Sequence, residues 1–281
     1  MLTTFIICTA LFLNCSPGDT NKNNAANANS VQKVHATDYL QLSQQLVQRA
    51  KDKQDASQII EQLANAPVQA LEDALDTDAA KKAFFINVYN GFVQHILMEN
   101  PEKFEDRDKF FTSEQITIAG ESLSLDDIEH GIIRGSKVKW SLGLIQDPFA
   151  DDFEKTFRVS ETDPRIHFAL NCGAKSCPYI AIYDADQLDQ QLDIISQQFL
   201  DRTTDYKPEE EKVYVTSLIS WFRGDFDGLD GAKDMLRRYG IIPEDADADI
   251  EFKDYDWTLD LGNYTELEVN QSKTTSSEGE E

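Results

Sequence analysis

The sequence predicts an α+β fold, a single mostly helical domain whose small β-sheet carries the strand and turn from His167 to Cys177. Three observations predict it. Apolar residues recur at helical spacing through most of residues 37–262, and strand-like runs are few and short. No internal repeat divides the chain. Its 281 residues, 41% of them hydrophobic, are enough for one sizeable core.

The elements follow in order. Residues 37–65 read as two helices, with Leu42, Leu46 and Val47 at helical spacing, and Pro67 breaks the pattern. A long helix then runs through AAKKAFFINVYNGFVQHILMEN and stops before Pro101. Phe85, Ile86, Val88, Tyr89, Phe92, Val93, Ile96 and Leu97 cover most of its circumference. The remaining stripe, Ala83, Asn87, Asn90, Gly91, Gln94 and Met98, is uncharged. A helix apolar nearly all round is buried, so Asn87 and Asn90 are buried with it and need partners. They either tie down neighbouring backbone or line a site. His95 lies to one side of the stripe.

ITIAGESLSL alternates around Gly120 as a hairpin. Ser124 and Asp127 fit a capping box that opens a helix ending at Gly135. Leu125, Ile128 and Ile132 form its apolar face with Glu129 projecting between them. His130 falls on the opposite side with Asp126 and Arg134. After Pro164, RIHFALNC reads as a buried strand closed by the turn GAKSCP. Residues 186–202 form an amphipathic helix, KVYVTS a strand, SLISWFRGDF and AKDMLRRYG two further helices. IEFKDYDWTLDLG closes the fold as a strand and extended tail, and residues 263–281 read as a disordered acidic end.

The net charge of −25, from 51 acidic against 26 basic residues, argues against nucleic acid, which needs a basic footprint. At the N-terminus, residues 2–13 are apolar but too short to span a bilayer, and read as a signal peptide over residues 1–14. LFLNC resembles a bacterial lipobox, which makes Cys15 the lipidated first residue. The polar run 15–36 then serves as a tether. The expected address is the bacterial cell envelope, on the periplasmic face of the outer membrane, with membrane contact through the lipid only. The folded domain keeps Cys172 and Cys177 in a compartment where disulfides persist.

Five stretches in order, FFINVYNGFVQHIL, LSLDDIEHGIIR, DPRIHFALNCGAKSCP, WFRGDF and YDWTLDLG, resemble the bacterial and plant family called domain of unknown function 547, over about residues 80–260. The resemblance implies a helix-and-strand domain and supplies no reaction. The family's motif residues map onto Asn87, Asn90, His95, Glu129, His130, Arg134, His167, Cys172, Ser176 and Cys177.

Three chemistries compete for these residues. A Cys172–Cys177 bridge across GAKS is the ordinary fate of two near cysteines in an oxidising envelope, and on the loop-entropy picture contributes ~2 kcal/mol. Asn87, Asn90, His95, Arg134 and Ser176 then belong to a buried network or a pocket for a small molecule or envelope polymer. A thiol hydrolase or acyltransferase comes second. Pro178 at the first position of a helical turn puts Cys177 at the N-cap, where amides and dipole favour a thiolate. His167, His95 or His130 acts as base, and Asn87, Asn90 or Glu129 orients it. A thioredoxin-like role is weaker, because that motif has two residues between its cysteines and here there are four. A metal comes third. His95, Glu129, His130, His167 and the thiols are potential donors, but no HExxH or paired CxxC spacing singles out zinc, and no cofactor is predicted.

Overall fold

Residues 38–269 are described by a computed structural model. The expected signal peptide, Cys15, the tether and residues 270–281 of the acidic end lie outside the described residues. Four helices come first, α1 (Tyr39–Lys51), α2 (Ser57–Ala64), α3 (Val68–Ala74) and α4 (Asp78–Glu99). The Asp38 carboxylate accepts the Gln41 amide at 2.9 Å to start α1, and the Thr77 hydroxyl accepts Ala80 N–H at 3.1 Å to start α4. Every residue of α4 from position 83 to 94 is buried, as its uncharged circumference requires. α1 crosses it at Gly91, where a Cβ would lie 2.7 Å from Leu46 Cγ, so the close approach depends on glycine.

The two buried asparagines act as backbone clamps. Asn87 donates to the Tyr183 carbonyl and accepts the Tyr183 amide, both at 2.9 Å. Asn90 donates to Ala169 O at 2.9 Å and accepts Asn171 N–H at 2.8 Å. Each amide thus offers an irregular segment the donor and acceptor that a neighbouring strand would have supplied.

After α5 (Arg107–Thr112) comes the expected hairpin, β1 (Ile116–Ile118) paired antiparallel with β2 (Glu121–Leu123). Ala119 (φ 51°) and Gly120 (φ 83°) make its two-residue turn, left-handed at both positions. The capping box is present, with Asp127 N–H donating to Ser124 Oγ at 3.1 Å and Ser124 N–H to Asp127 Oδ2 at 2.8 Å. The helix it opens is wound as a π-helix over Asp127–Ile133, and α6 (Asp152–Phe157) follows.

The stretch expected as a strand differs. Asp163 accepts Arg165 N–H at 3.0 Å, and Pro164 opens a 3-10 turn over Pro164–Phe168 that carries His167. Residues 169–172 then run irregularly against the Asn90 clamp, so the sheet does not carry His167–Cys177. Burial alone made this run look like a strand, and the periodicity of so short an apolar stretch does not separate the two.

α7 (Leu188–Thr203) leads into a three-stranded sheet of β3 (Asp205–Lys207), β4 (Lys212–Val215) and, after α8 (Ser217–Trp221) and α9 (Gly228–Arg238), β5 (Asp249–Phe252). Its order is β3-β4-β5, the first pair antiparallel and the second parallel. The fold is α+β and mostly helical. Phe168, Phe199, Val213, Val215, Phe226 and Leu236 form a second apolar cluster beside the main one around α4. The C-terminal segment then passes back along the cysteine loop. Lys175 N–H donates to Thr258 O and Thr265 N–H to Ile180 O, at 2.8 and 2.9 Å. Residues 263–265, expected as the start of a disordered end, are therefore fastened to the domain.

Candidate functional site

The π-helix, the 3-10 turn, α8 and the returning C-terminal segment enclose a cleft of about 500 Å³. The π-helix and its N-cap residue contribute Glu129, His130 and Asp126, α4 contributes Tyr89, and the 3-10 turn and cysteine loop contribute His167 and Cys172. Trp221, Phe222, Tyr255 and Trp257 form the aromatic wall.

The winding of the π-helix decides which side chains meet. Arg134 N–H donates to Glu129 O and Ser136 N–H to Gly131 O, five residues back, at 3.0 and 2.7 Å. Ordinary α spacing sets Glu129 and His130 about 100° apart, and the wider π turn narrows that angle. Both line the cleft, with Arg134 beside His130. Glu129 is thus not confined to an apolar face. The Tyr89 hydroxyl donates to Glu129 Oε2 at 3.3 Å, and His130 Nδ1 is 3.8 Å from Glu129 Oε1. Burial raises the Glu129 carboxyl to about 7, against the opposing pull of Arg134.

A second chain of contacts runs behind the cleft wall. Arg134 Nη1 lies 2.9 Å from His130 Nδ1. A guanidinium only donates, so Nδ1 accepts and the imidazole proton sits on Nε2. Burial, helped by the Arg134 charge, holds His130 well below the usual imidazole range. Arg134 is fully buried, with Nε 2.6 Å from Asp225 Oδ2 and its guanidinium over the Phe222 ring. The same Asp225 oxygen is 2.8 Å from His167 Nε2, and His167 stacks on Phe222 with ring centroids 3.9 Å apart. Burial also pushes His167 down against the pull of Asp225, so the neutral ring donates through Nε2. For Asp225, burial alone would raise the carboxyl, but the hydrogen bonds from His167 and Arg134 outweigh it and lower it.

Cys172 and Cys177 form a disulfide, with Cα atoms 6.3 Å apart. Cys172 lies on the cleft wall, while Cys177 is only 4% exposed and sits behind it. Cys172 N–H donates to Cys177 Sγ at 3.1 Å, and the Tyr255 hydroxyl is 3.2 Å from the same sulfur. This corrects the expectation of Cys177 as an N-cap nucleophile. Both sulfurs are bonded to each other, and no helix begins at Pro178, so no helix terminus is there to stabilise a thiolate.

Of the other candidates, Glu129, His130, His167 and Cys172 come together at the cleft, and Arg134 supports them from behind. Asn87 and Asn90 hold backbone and do not line the cleft. His95 lies apart, its Nε2 3.9 Å from Glu99. The Ser176 hydroxyl accepts Asp256 N–H at 2.8 Å and so holds the returning segment. Sequence reasoning did not single out Asp225, Tyr255, Trp221 or Trp257, although WFRGDF and YDWTLDLG contain all four. Among the described residues, no group of three or more His, Cys, Asp or Glu side chains is arranged to hold a metal ion. No helix among them is long and apolar enough to cross a membrane.

Residues 73–200 match the model of the family described as "Protein of unknown function, DUF547". The likeness to DUF547 covers residues 73–200, under half of the chain. No curated protein and no solved structure matches the chain. The DUF547 match holds Tyr89, the π-helix, His167 and the disulfide, but Trp221, Asp225, Tyr255 and Trp257 lie beyond it, so later residues complete the cleft.

The raised Glu129 carboxyl has a stability consequence. Between pH 4.5 and about 7 the folded protein keeps a proton that the unfolded chain has released, so stability falls as pH rises through that window. The loss totals roughly 3 kcal/mol at most. Glu129→Gln removes this component of the slope. Urea midpoints measured from pH 4.5 to 8 check it, and an unchanged slope in the variant would refute the assignment.

Proposed function

We propose that the cleft binds a ring-bearing, hydroxyl-rich ligand, a glycan fragment of the cell envelope. The observation that carries this reading is the pairing of an aromatic wall with a sparsely hydrogen-bonded carboxyl at the cleft. Trp221 and Trp257 lie nearly parallel, with centroids 5.7 Å apart and planes 19° apart, and Tyr255 packs against both at 4.9 and 4.8 Å. Aromatic faces suit the apolar face of a sugar ring, and convergent polar groups such as Glu129 and Asp126 fix hydroxyls. Titration of soluble muropeptides, followed by tryptophan fluorescence, tests the reading. Saturable binding weakened about tenfold or more by Trp257→Ala is expected. No fluorescence change at millimolar muropeptide would overturn it.

The alternative, a thiol-dependent hydrolase or acyltransferase, requires an open bridge, with Cys172 as the cysteine that lines the cleft. Muropeptide cleavage by the reduced protein, absent from the oxidised protein and from Cys172→Ala, would favour it.

The same proposal places the protein in the bacterial envelope, anchored through lipid on Cys15 at the periplasmic face of the outer membrane. LFLNC and the polar run after it support this. Membrane-extracted protein should lack residues 1–14 and carry the added mass of lipid on Cys15. An unlipidated Cys15 would end the proposal.

A further inference from the structure

The arrangement around the disulfide differs for its two sulfurs. Cys172 lines the cleft and is half-buried. Cys177 Sγ is withdrawn from it and receives two hydrogen bonds, from Cys172 N–H at 3.1 Å and from the Tyr255 hydroxyl at 3.2 Å. A disulfide sulfur carries no hydrogen, so the phenol is the donor. Burial keeps that phenol protonated by pushing its pKa up, with the Glu129 charge acting in the same direction. Tyr255 is also 3.6 Å from Cys172 Sγ, so it stands closer to the sulfur of buried Cys177 than to that of half-buried Cys172. One sulfur is placed to be attacked. The other is placed to leave.

We propose that the Cys172–Cys177 bridge is a redox-active disulfide that exchanges with a thiol bound in the cleft. The thiolate of a small-molecule or peptide thiol attacks Cys172 Sγ. A new sulfur–sulfur bond forms between ligand and Cys172, the Cys172–Cys177 bond breaks, and its electron pair leaves on Cys177 Sγ. The Cys172 amide and the Tyr255 hydroxyl stabilise that thiolate as it develops, without having to move. A second ligand thiolate then attacks the ligand sulfur of the mixed disulfide and expels Cys172 as thiolate. Two ligand thiols are oxidised to one disulfide, the protein bridge is reduced to two thiols, and the two protons released by the ligand end on Cys172 and Cys177. The reverse sequence reduces a disulfide ligand. Arg107, which lines the cleft with its guanidinium 4.9 Å over the Trp257 ring, offers a cation to a thiol that also bears a carboxylate.

This activity differs from glycan binding and uses the same cleft. It also differs from thioredoxin chemistry in its spacing, since the leaving sulfur is stabilised by a loop amide and a distant tyrosine and not by a helix terminus.

The test uses the full chain and reduced glutathione. Samples are quenched with N-ethylmaleimide, digested and analysed by mass. Glutathione is expected on Cys172, with Cys177 alkylated, in protein that retains its native near-ultraviolet circular dichroism. Tyr255→Phe should slow the exchange roughly tenfold, because the leaving thiolate loses one donor. Cys177→Ser exposed to oxidised glutathione should accumulate one persistent adduct on Cys172, since the resolving thiol is gone. A bridge that survives millimolar glutathione until the protein unfolds would overturn the proposal. So would an adduct on Cys177, or wild-type exchange in a folded Tyr255→Phe. Muropeptide titration of the oxidised protein is independent of exchange, so failure here leaves the glycan reading standing, and the reverse holds as well.

Discussion

Asp225→Ala is expected to destabilise the fold by about 4 kcal/mol, the largest loss of any single substitution around the cleft. The carboxylate lies between the fully buried Arg134 guanidinium and His167 Nε2, at 2.6 and 2.8 Å from one oxygen. Removing it strands a buried cation and leaves the His167 N–H without its acceptor. The cost comes from that stranding more than from the attraction lost, because an ion pair already out of water gains little over an apolar pair of the same shape. Arg134→Met combined with Asp225→Leu should therefore be less destabilising than Asp225→Ala alone. Denaturant midpoints of the three proteins decide the matter, and an Asp225→Ala loss below 1 kcal/mol would rule out a strongly coupled pair. The pH sign follows from the lowered Asp225 carboxyl. Its contribution is complete above the unfolded carboxylate range, and is lost as pH falls through that range towards the folded value.

Asn90→Ala is expected to cost about 3 kcal/mol, from a side chain that never touches the cleft. It strips a partner from Ala169 O and from Asn171 N–H, both in a segment without strand neighbours, and each buried backbone group left unpaired costs about 1–3 kcal/mol. Asn171 in turn donates to Pro178 O at 2.6 Å and accepts Gly173 N–H at 2.9 Å, so the clamp reaches into the cysteine loop. Hydrogen exchange should therefore quicken at residues 169–173 before it quickens along α4. Uniform loss of protection across the domain would mean that Asn90 serves global packing and not this segment.

These two sites show where the sequence was legible and where it was not. The apolar circumference of α4 announces burial by itself, and burial of Asn87 and Asn90 follows by position on the wheel. The β1–β2 turn and the Ser124 capping box are equally readable, because their chemistry lies within four residues. The π winding of Asp127–Ile133 is not. It brings Glu129 and His130 to one cleft with Arg134 behind them, and Arg134 is held there by Asp225, far along the chain. No local signal at Glu129 reports that partner. The 3-10 turn at Pro164 was hidden in the same way, since Asn90 takes the place of the strand neighbours that the buried run implied. Trp257 and Tyr255 sit in an extended stretch whose pattern says only that it is partly buried. Their role comes from where the returning segment lies.

That return has a bearing on the order in which the molecule comes into being. The helices through α4 and the β1–β2 hairpin can pack from neighbouring stretches of chain, with little loop to close. The cleft cannot, because Tyr255 and Trp257 reach the cysteine loop only after α7, the sheet, α8 and α9 are in place. Closing so long a loop comes late in folding. The sulfurs are close in sequence and can meet without the tyrosine that sits beside them, whereas the aromatic wall of the cleft depends on the returning segment.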